Sequence, residues 1–320
     1  MRPTHRPPTK TELSPGPFLG TSDFAATVLE RLAASPHRPP LVVTLPDRRQ
    51  GRGRKESPSP VAVKADELGI ELFKAADVNE PEARERLLAS GAEWGSICAF
   101  GQLIKEPLLT ELPMLNVHPS LLPRWRGAAP IERAIMAGDE RTGVAVMRLV
   151  AGLDSGPVAM VEETAIEPSD DFGTLAGRLA ETGGDLLIRA LDAAAAGELD
   201  WTEQGEDGVT YAEKIAAADR RLDPTARAVE LRDHVRALNP HIGAYLALEG
   251  DARLGVREVT VLDRPSQGPG QIVGEDGELI LNCGDRAIRL DVVQPPGKNA
   301  MDGASYLRGN GLPDVALPGA

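Results

Sequence analysis

A chain of 320 residues is long enough for two domains, and its 42% hydrophobic content can fill two cores. With aromatics at only 3%, those cores must be built mainly from Ala, Val, Leu and Ile. The net charge of −13 speaks against a nucleic-acid partner only until its distribution is read: residues 151–210 hold fourteen Asp and Glu against Arg178 and Arg189, which leaves the rest of the chain nearly neutral.

No apolar run approaches the roughly eighteen residues that a membrane span needs, so no membrane role is expected. The start, Met1 to Lys10, is basic and proline-rich without an apolar stretch, and 1–17 reads as a flexible tail rather than a signal. Cys98 and Cys283 are too few for a disulfide framework or a zinc site, which suits a reducing cytoplasm.

Leu13 to Leu19 is where a first buried strand belongs, but Pro15, Gly16 and Pro17 disfavour it. After Gly20-Thr21-Ser22, the segment Asp23 to Ala34 has the spacing of an amphipathic helix. Leu41 to Leu45 is a strand, and Arg48, Arg49, Arg52, Arg54 and Lys55 then crowd a glycine-bearing loop. Helices are predicted over Val61–Leu68, Pro81–Ala89 and Ile104–Leu112, alternating with strands at Ile70–Phe73, Ser96–Phe100 and from Leu115. That alternation means βαβ units and a Rossmann-like, mainly parallel sheet in an α/β domain.

Further on, Ala128–Ala137 reads as a helix, and strands at Val144–Val150 and Val158–Glu163 flank the turn Gly152-Leu153-Asp154-Ser155-Gly156. Phe172–Ala196 is a long acidic helix with a possible interruption at Gly183-Gly184. The α/β domain is placed at 18–205, a linker at 206–215, a small OB-like β-barrel domain at 216–311 and a tail at 312–320. The second domain opens with a helix around Thr225–Leu238; short strands and Gly, Asp and Pro turns follow.

The chemistry concentrates at Asn116 and His118, two residues apart on one face of a strand that ends before Pro119. Read alone, His118 fits catalysis and a structural strand-end role equally well. An amide and an imidazole at one point suit a carbonyl oxygen that becomes negative, with proton transfer alongside. Asp154 is the carboxylate available to support the imidazole, although its spacing alone favours simple turn formation. Metal chemistry has little support, since His and Cys do not cluster, and no phosphate-binding glycine motif is present. The five cations of 48–55 fit phosphate contacts, which leaves carbonyl chemistry near a polyanion.

The run Asn116-Val117-His118-Pro119-Ser120-Leu121-Leu122-Pro123-Arg124-Trp125-Arg126-Gly127-Ala128-Ala129-Pro130-Ile131 resembles the signature of folate-dependent formyltransferases. Its second half is similar to the branch of that family acting on methionyl-tRNA. Matches continue at Gly20–Ala25, Ser57–Val61, Gly152–Gly156, Thr210–Ala212 with Lys214-Ile215, and Gln294–Lys298. The resemblance implies formyl transfer from 10-formyltetrahydrofolate, as co-substrate, to the α-amine of methionine on initiator tRNA, without a metal and by a monomer. It implies Asn116, His118 and Asp154 as the catalytic trio, and Ser120, Leu121, Leu122 and Pro123 as the folate-contacting segment. Phe100, Gly101, Gln102 and Leu103 would line the pteridine pocket, and Arg48, Arg49, Arg52, Arg54 and Lys55 would meet tRNA. Departures from the family pattern are the proline-broken first strand, Ser22 in place of a proline, Arg49-Gln50 in the basic loop and Asn239-Pro240-His241-Ile242. An N-formyltransferase of amino-sugar nucleotides shares the trio and is the nearest alternative; a folate-deformylating hydrolase and an inactive tRNA-binding relic are others.

Overall fold

The structure, a computed structural model, describes residues 14–50 and 55–317. They fall into two compact units, one from the described residues up to 126 with 143–164 and 177–211, the other from 127–142, 165–176 and the described residues from 212 onward. The α-helices are α1 (Asp23–Ala33), α2 (Pro60–Leu68), α3 (Pro81–Leu88), α4 (Leu108–Glu111), α5 (Pro130–Met136), α6 (Phe172–Ala196), α7 (Ala228–Leu238) and α8 (Gly303–Asn310). Among the described residues, no helix is long and apolar enough to cross a membrane.

The first unit is built on a seven-stranded sheet. Its strands are β1 (Phe18–Gly20), β2 (Leu41–Thr44), β3 (Glu71–Lys74), β4 (Gly95–Cys98), β5 (Met114–His118), β6 (Arg141–Arg148) and β7 (Val158–Ala165), in the spatial order β7-β6-β5-β4-β1-β2-β3. Strands β1 to β5 run parallel, and β6 pairs antiparallel with β5. The C-terminal ends of β1, β4 and β5 therefore share one edge, where open α/β sheets place their ligands.

The weak first strand forms, contrary to its proline content, and Phe18 and Leu19 are fully buried. Pro17 stands just before it and serves as an acceptor, its carbonyl taking the Ser96 N–H at 2.9 Å. A proline lacks only the donor, so the strand entry tolerates it. Ser22, in the proline's place, caps α1 by accepting the Ala25 N–H at 3.3 Å. The predicted helix over Ile104–Leu112 shrinks to α4, because Pro107 supplies no N–H and disfavours helix at the preceding residue.

Helix α6 is unbroken through Gly183-Gly184. These glycines serve packing: a Cβ on Gly183 would stand 2.8 Å from Val117 Cγ1, and one on Gly184 2.7 Å from Arg31 Cβ. Their bareness lets α6 lie directly over β5, the strand that carries Asn116 and His118.

The second unit is an antiparallel sheet of β8 (Ala244–Ala247), β9 (Arg253–Pro265), β10 (Ile272–Glu275), β11 (Glu278–Asn282) and β12 (Arg286–Gln294), with β13 (Met301–Asp302) paired to β12. Leu231, Val235 and Leu238 of α7 join Leu254, Val256, Leu281 and Leu290 in its core. His234, on α7, donates from Nε2 to the Asp219 carbonyl, and burial pushes its ring below the ordinary 6.5. Unfolding lets that ring take up a proton the folded chain resists, so stability falls as pH drops below about 6.5. His234→Gln is expected to flatten the decline of the thermal midpoint between about pH 7 and 5. An unchanged slope would show that His234 is not its source.

Candidate active site

Asn116 and His118 project from β5 at 8% and 4% exposure, so their polar atoms sit in a nearly dry environment at the end of the sheet. The His118 Nε2 lies 2.9 Å from the Trp125 carbonyl oxygen. A carbonyl can only accept, so Nε2 carries a proton and the tautomer is fixed by chemistry. The other ring nitrogen, Nδ1, faces Asp154 Oδ2 at 3.7 Å. That gap is longer than a hydrogen bond but well inside electrostatic reach. Structure thus joins His118 and Asp154, which are 36 residues apart, and leaves Nδ1 as the nitrogen turned toward the carboxylate.

The loop after β5 is held by its own groups. Ser120 is fully buried; its hydroxyl donates to the Arg124 carbonyl at 2.7 Å, and its N–H donates to the His118 carbonyl at 2.9 Å. Leu122 packs against Ala145, Met147 and Val158, and the Leu121 carbonyl accepts the Arg124 N–H. Ser120, Leu121, Leu122 and Pro123 therefore form a closed turn beside the His118–Asp154 pair. The Arg124 guanidinium stacks over the Trp125 ring at 4.3 Å.

On the neighbouring strand end, Phe100 is buried and its carbonyl accepts the Thr21 hydroxyl at 2.7 Å. Gln102 is committed to the preceding loop: its Oε1 accepts the Val78 N–H at 2.8 Å, and its Nε2 donates to the Ala75 and Ala76 carbonyls. Gly101 adopts φ +87, a left-handed conformation that glycine reaches freely, and Leu103 beyond it is exposed. Of the basic loop, Arg48 and Arg49 lie on a short strand, Arg48–Gln50, paired with Lys55–Ser57. Arg52 and Arg54 lie outside the described residues.

Four described non-glycine residues have positive φ, and three of them, Ala99, Trp125 and Asp154, flank this edge of the sheet. Each such backbone costs about 1–3 kcal/mol unless its surroundings hold it, and such residues gather at functional sites. Trp125 carries the carbonyl that orients His118, while Asp154 carries the facing carboxylate.

Residues 18–191 match the model for formyl transferase, and residues 214–311 match that for the formyl transferase C-terminal domain. The chain belongs to the formyltransferase family. It is 44% identical over 301 residues to a methionyl-tRNA formyltransferase of Methylobacterium sp. (strain 4-46), covering 92% of this chain and 96% of that protein. A methionyl-tRNA formyltransferase of Methylococcus capsulatus is 43% identical with the same coverage. Solved structures share the fold at lower identity. The sugar N-formyltransferase WlaRD superposes with a TM-score of 0.63 at 14% identity, over 88% of this chain and 98% of its own. Aquifex aeolicus HypX in complex with tetrahydrofolic acid gives 0.61 at 15%, over 91% and 46%.

Sequence reasoning gave no role to two residues at this edge of the sheet, Gln204 and Thr210. Gln204 Nε2 donates to the Asp154 and Gly156 carbonyls at 2.8 and 2.7 Å. Thr210 Oγ1 accepts the Trp125 N–H at 2.9 Å. No charge, motif or period marks Gln204, and Thr210 stands in the sequence only within the matched run Thr210–Ala212, with no role attached to it.

Proposed function

We propose that the chain transfers the formyl group of 10-formyltetrahydrofolate to the α-amine of methionine on initiator tRNA, for translation initiation in the cytoplasm, and acts as a monomer. The observation that carries this reading is similarity to methionyl-tRNA formyltransferases over 92% of the chain, combined with a buried Asn116–His118 pair whose histidine faces Asp154.

In the reaction the amine nitrogen bonds to the formyl carbon, the bond from that carbon to the folate nitrogen breaks, and one proton passes from amine to leaving nitrogen. Two services are needed from the protein. Asn116 and a protonated His118 donate hydrogen bonds to the formyl oxygen as it gains negative charge. With Nε2 pinned to Trp125, His118 Nδ1 is the nitrogen left to face the formyl oxygen, and Asp154 holds the ring in its protonated form and helps relay the amine proton to the leaving nitrogen. The folate-facing assignment covers Ser120 to Pro123 and Phe100 to Leu103, with Ser120 and Gln102 shaping the backbone through the bonds described above. Residues 18–205 carry the chemistry, while 216–311 and the cations Arg48, Arg49, Arg52, Arg54 and Lys55 hold tRNA.

Incubation with 10-formyltetrahydrofolate and methionyl-initiator-tRNA, followed by detection of acid-stable formylmethionine, tests the reading directly. No product above a heat-killed control overturns it, and formate release without tRNA points to a hydrolase instead. Arg52→Ala is expected to raise KM for tRNA about fivefold or more, with KM for the folate unchanged, since one lost phosphate contact acts on the polyanion alone. Equal KM values for tRNA in both proteins would remove Arg52 from the tRNA surface.

A further inference from the structure

The turn that carries the carboxylate facing His118 is held through its backbone by one side chain, Gln204. Arg126 Nε lies 2.9 Å from Gln204 Oε1, and an arginine can only donate. That fixes which end of the Gln204 amide is oxygen. Its NH2 group is thereby turned to the Asp154 and Gly156 carbonyls, at 2.8 and 2.7 Å, and those groups can only accept. Every polar atom of the amide thus has a chemically unambiguous partner.

The turn so gripped contains Asp154 at φ +43, a backbone that an aspartate holds only against a cost. The same short stretch reaches the other side of His118. Thr210 accepts the Trp125 N–H through its hydroxyl and the Arg126 N–H, at 2.9 Å, through its carbonyl. Trp125, at φ +63, presents its own carbonyl to His118 Nε2. Both ring nitrogens of His118 therefore face groups whose positions are set from residues 204–210, by way of Arg126 and Trp125.

We infer that Gln204 is a positioning residue of the formyl-transfer site: its amide ties the Asp154 turn to Arg126 and so sets the carboxylate against His118 Nδ1. The inference rests on the functional reading above. It goes beyond the trio because Gln204 need not touch a substrate; it acts through the Asp154 backbone. Thr210 does the corresponding work for the Trp125 carbonyl.

The discriminating change is Gln204→Glu. It preserves size and the acceptor for Arg126 but removes both donors to the turn and aims an anion at two carbonyl oxygens. Formyl transfer to methionyl-tRNA is measured for this variant and for Gln204→Met, in the wild-type and Asp154→Asn backgrounds, with thermal unfolding as the check on folding. Expected is a roughly 10- to 100-fold loss of kcat, with both KM values within about twofold, because displacing a catalytic group by an ångström costs rate rather than affinity. In Asp154→Asn the same change is expected to cost less than about threefold, since residues acting through one another are not additive. Equal fractional losses in the two backgrounds, a loss falling on KM, or failure of both variants to fold would each overturn the inference. An active wild-type chain with any of those results leaves the functional reading standing. An inactive wild-type chain removes the reading and this inference together.

Discussion

Replacing His118 by alanine is expected to lower kcat for formyl transfer by roughly 10²- to 10⁴-fold, the usual contribution of a positioned acid–base group. Affinity for tRNA is expected to stay within about twofold of wild type, since the ring is buried at the end of β5 and carries no proposed phosphate contact. The two ring nitrogens allow a finer separation. Glutamine can still offer a donor in the place of Nε2, satisfying the Trp125 carbonyl, but has nothing in the place of Nδ1. His118→Gln is therefore expected to recover stability lost in His118→Ala, about 1 kcal/mol for the restored bond, without recovering turnover. If His118→Gln turns over like wild type, Nδ1 is not the working nitrogen. If tRNA affinity falls with the rate in His118→Ala, the catalytic role itself is wrong.

What the sequence made legible follows from how chemistry is written into it. Asn116 and His118 stood out because a polar pair at a strand end is costly without a purpose, and a two-residue spacing guarantees a shared face. The parallel sheet was legible from alternation alone. By its spacing alone Asp154 read as a turn residue, and only the family resemblance placed it with His118, because the fold supplies that approach and local spacing does not. Gln204 left no trace: an amide that donates to two carbonyls fifty and forty-eight residues away uses no pattern that a linear reading detects. The first strand misled for a related reason. Proline counts against a strand on average, but Pro17 stands at the entry, where only its carbonyl is called upon. Likewise the glycine pair in α6 looked like a break, when its function is close approach to β5 and α1.

Gly156→Ala is expected to damage the site without touching a catalytic side chain. Gly156 closes the turn that carries Asp154, and a Cβ there would collide with the Arg148 carbonyl oxygen at the end of β6 and come within 3.2 Å of Val150 Cγ1. Backbone cannot rotate away as a side chain can. Moreover, the Arg148 N–H is bound to the Pro157 carbonyl at 2.9 Å, so turn and strand are tied on both sides of the clash. Either the strand end yields, at a cost on the order of 1–3 kcal/mol as for other overpacked sites, or the turn opens and moves Asp154 from His118. A shift of an ångström is worth up to about 10²-fold in rate. Loss of the Gly156 carbonyl from the grip of Gln204 works in the same direction. Gly177, inside α6, supplies the control: a Cβ there meets nothing within 4 Å, so Gly177→Ala is expected to stabilise by about 0.5–1 kcal/mol with kcat unchanged. Thermal unfolding and kcat, measured for both variants, separate the effects. Should Gly156→Ala match wild type in both, the turn is not held closed against β6, and the geometry facing His118 does not depend on it.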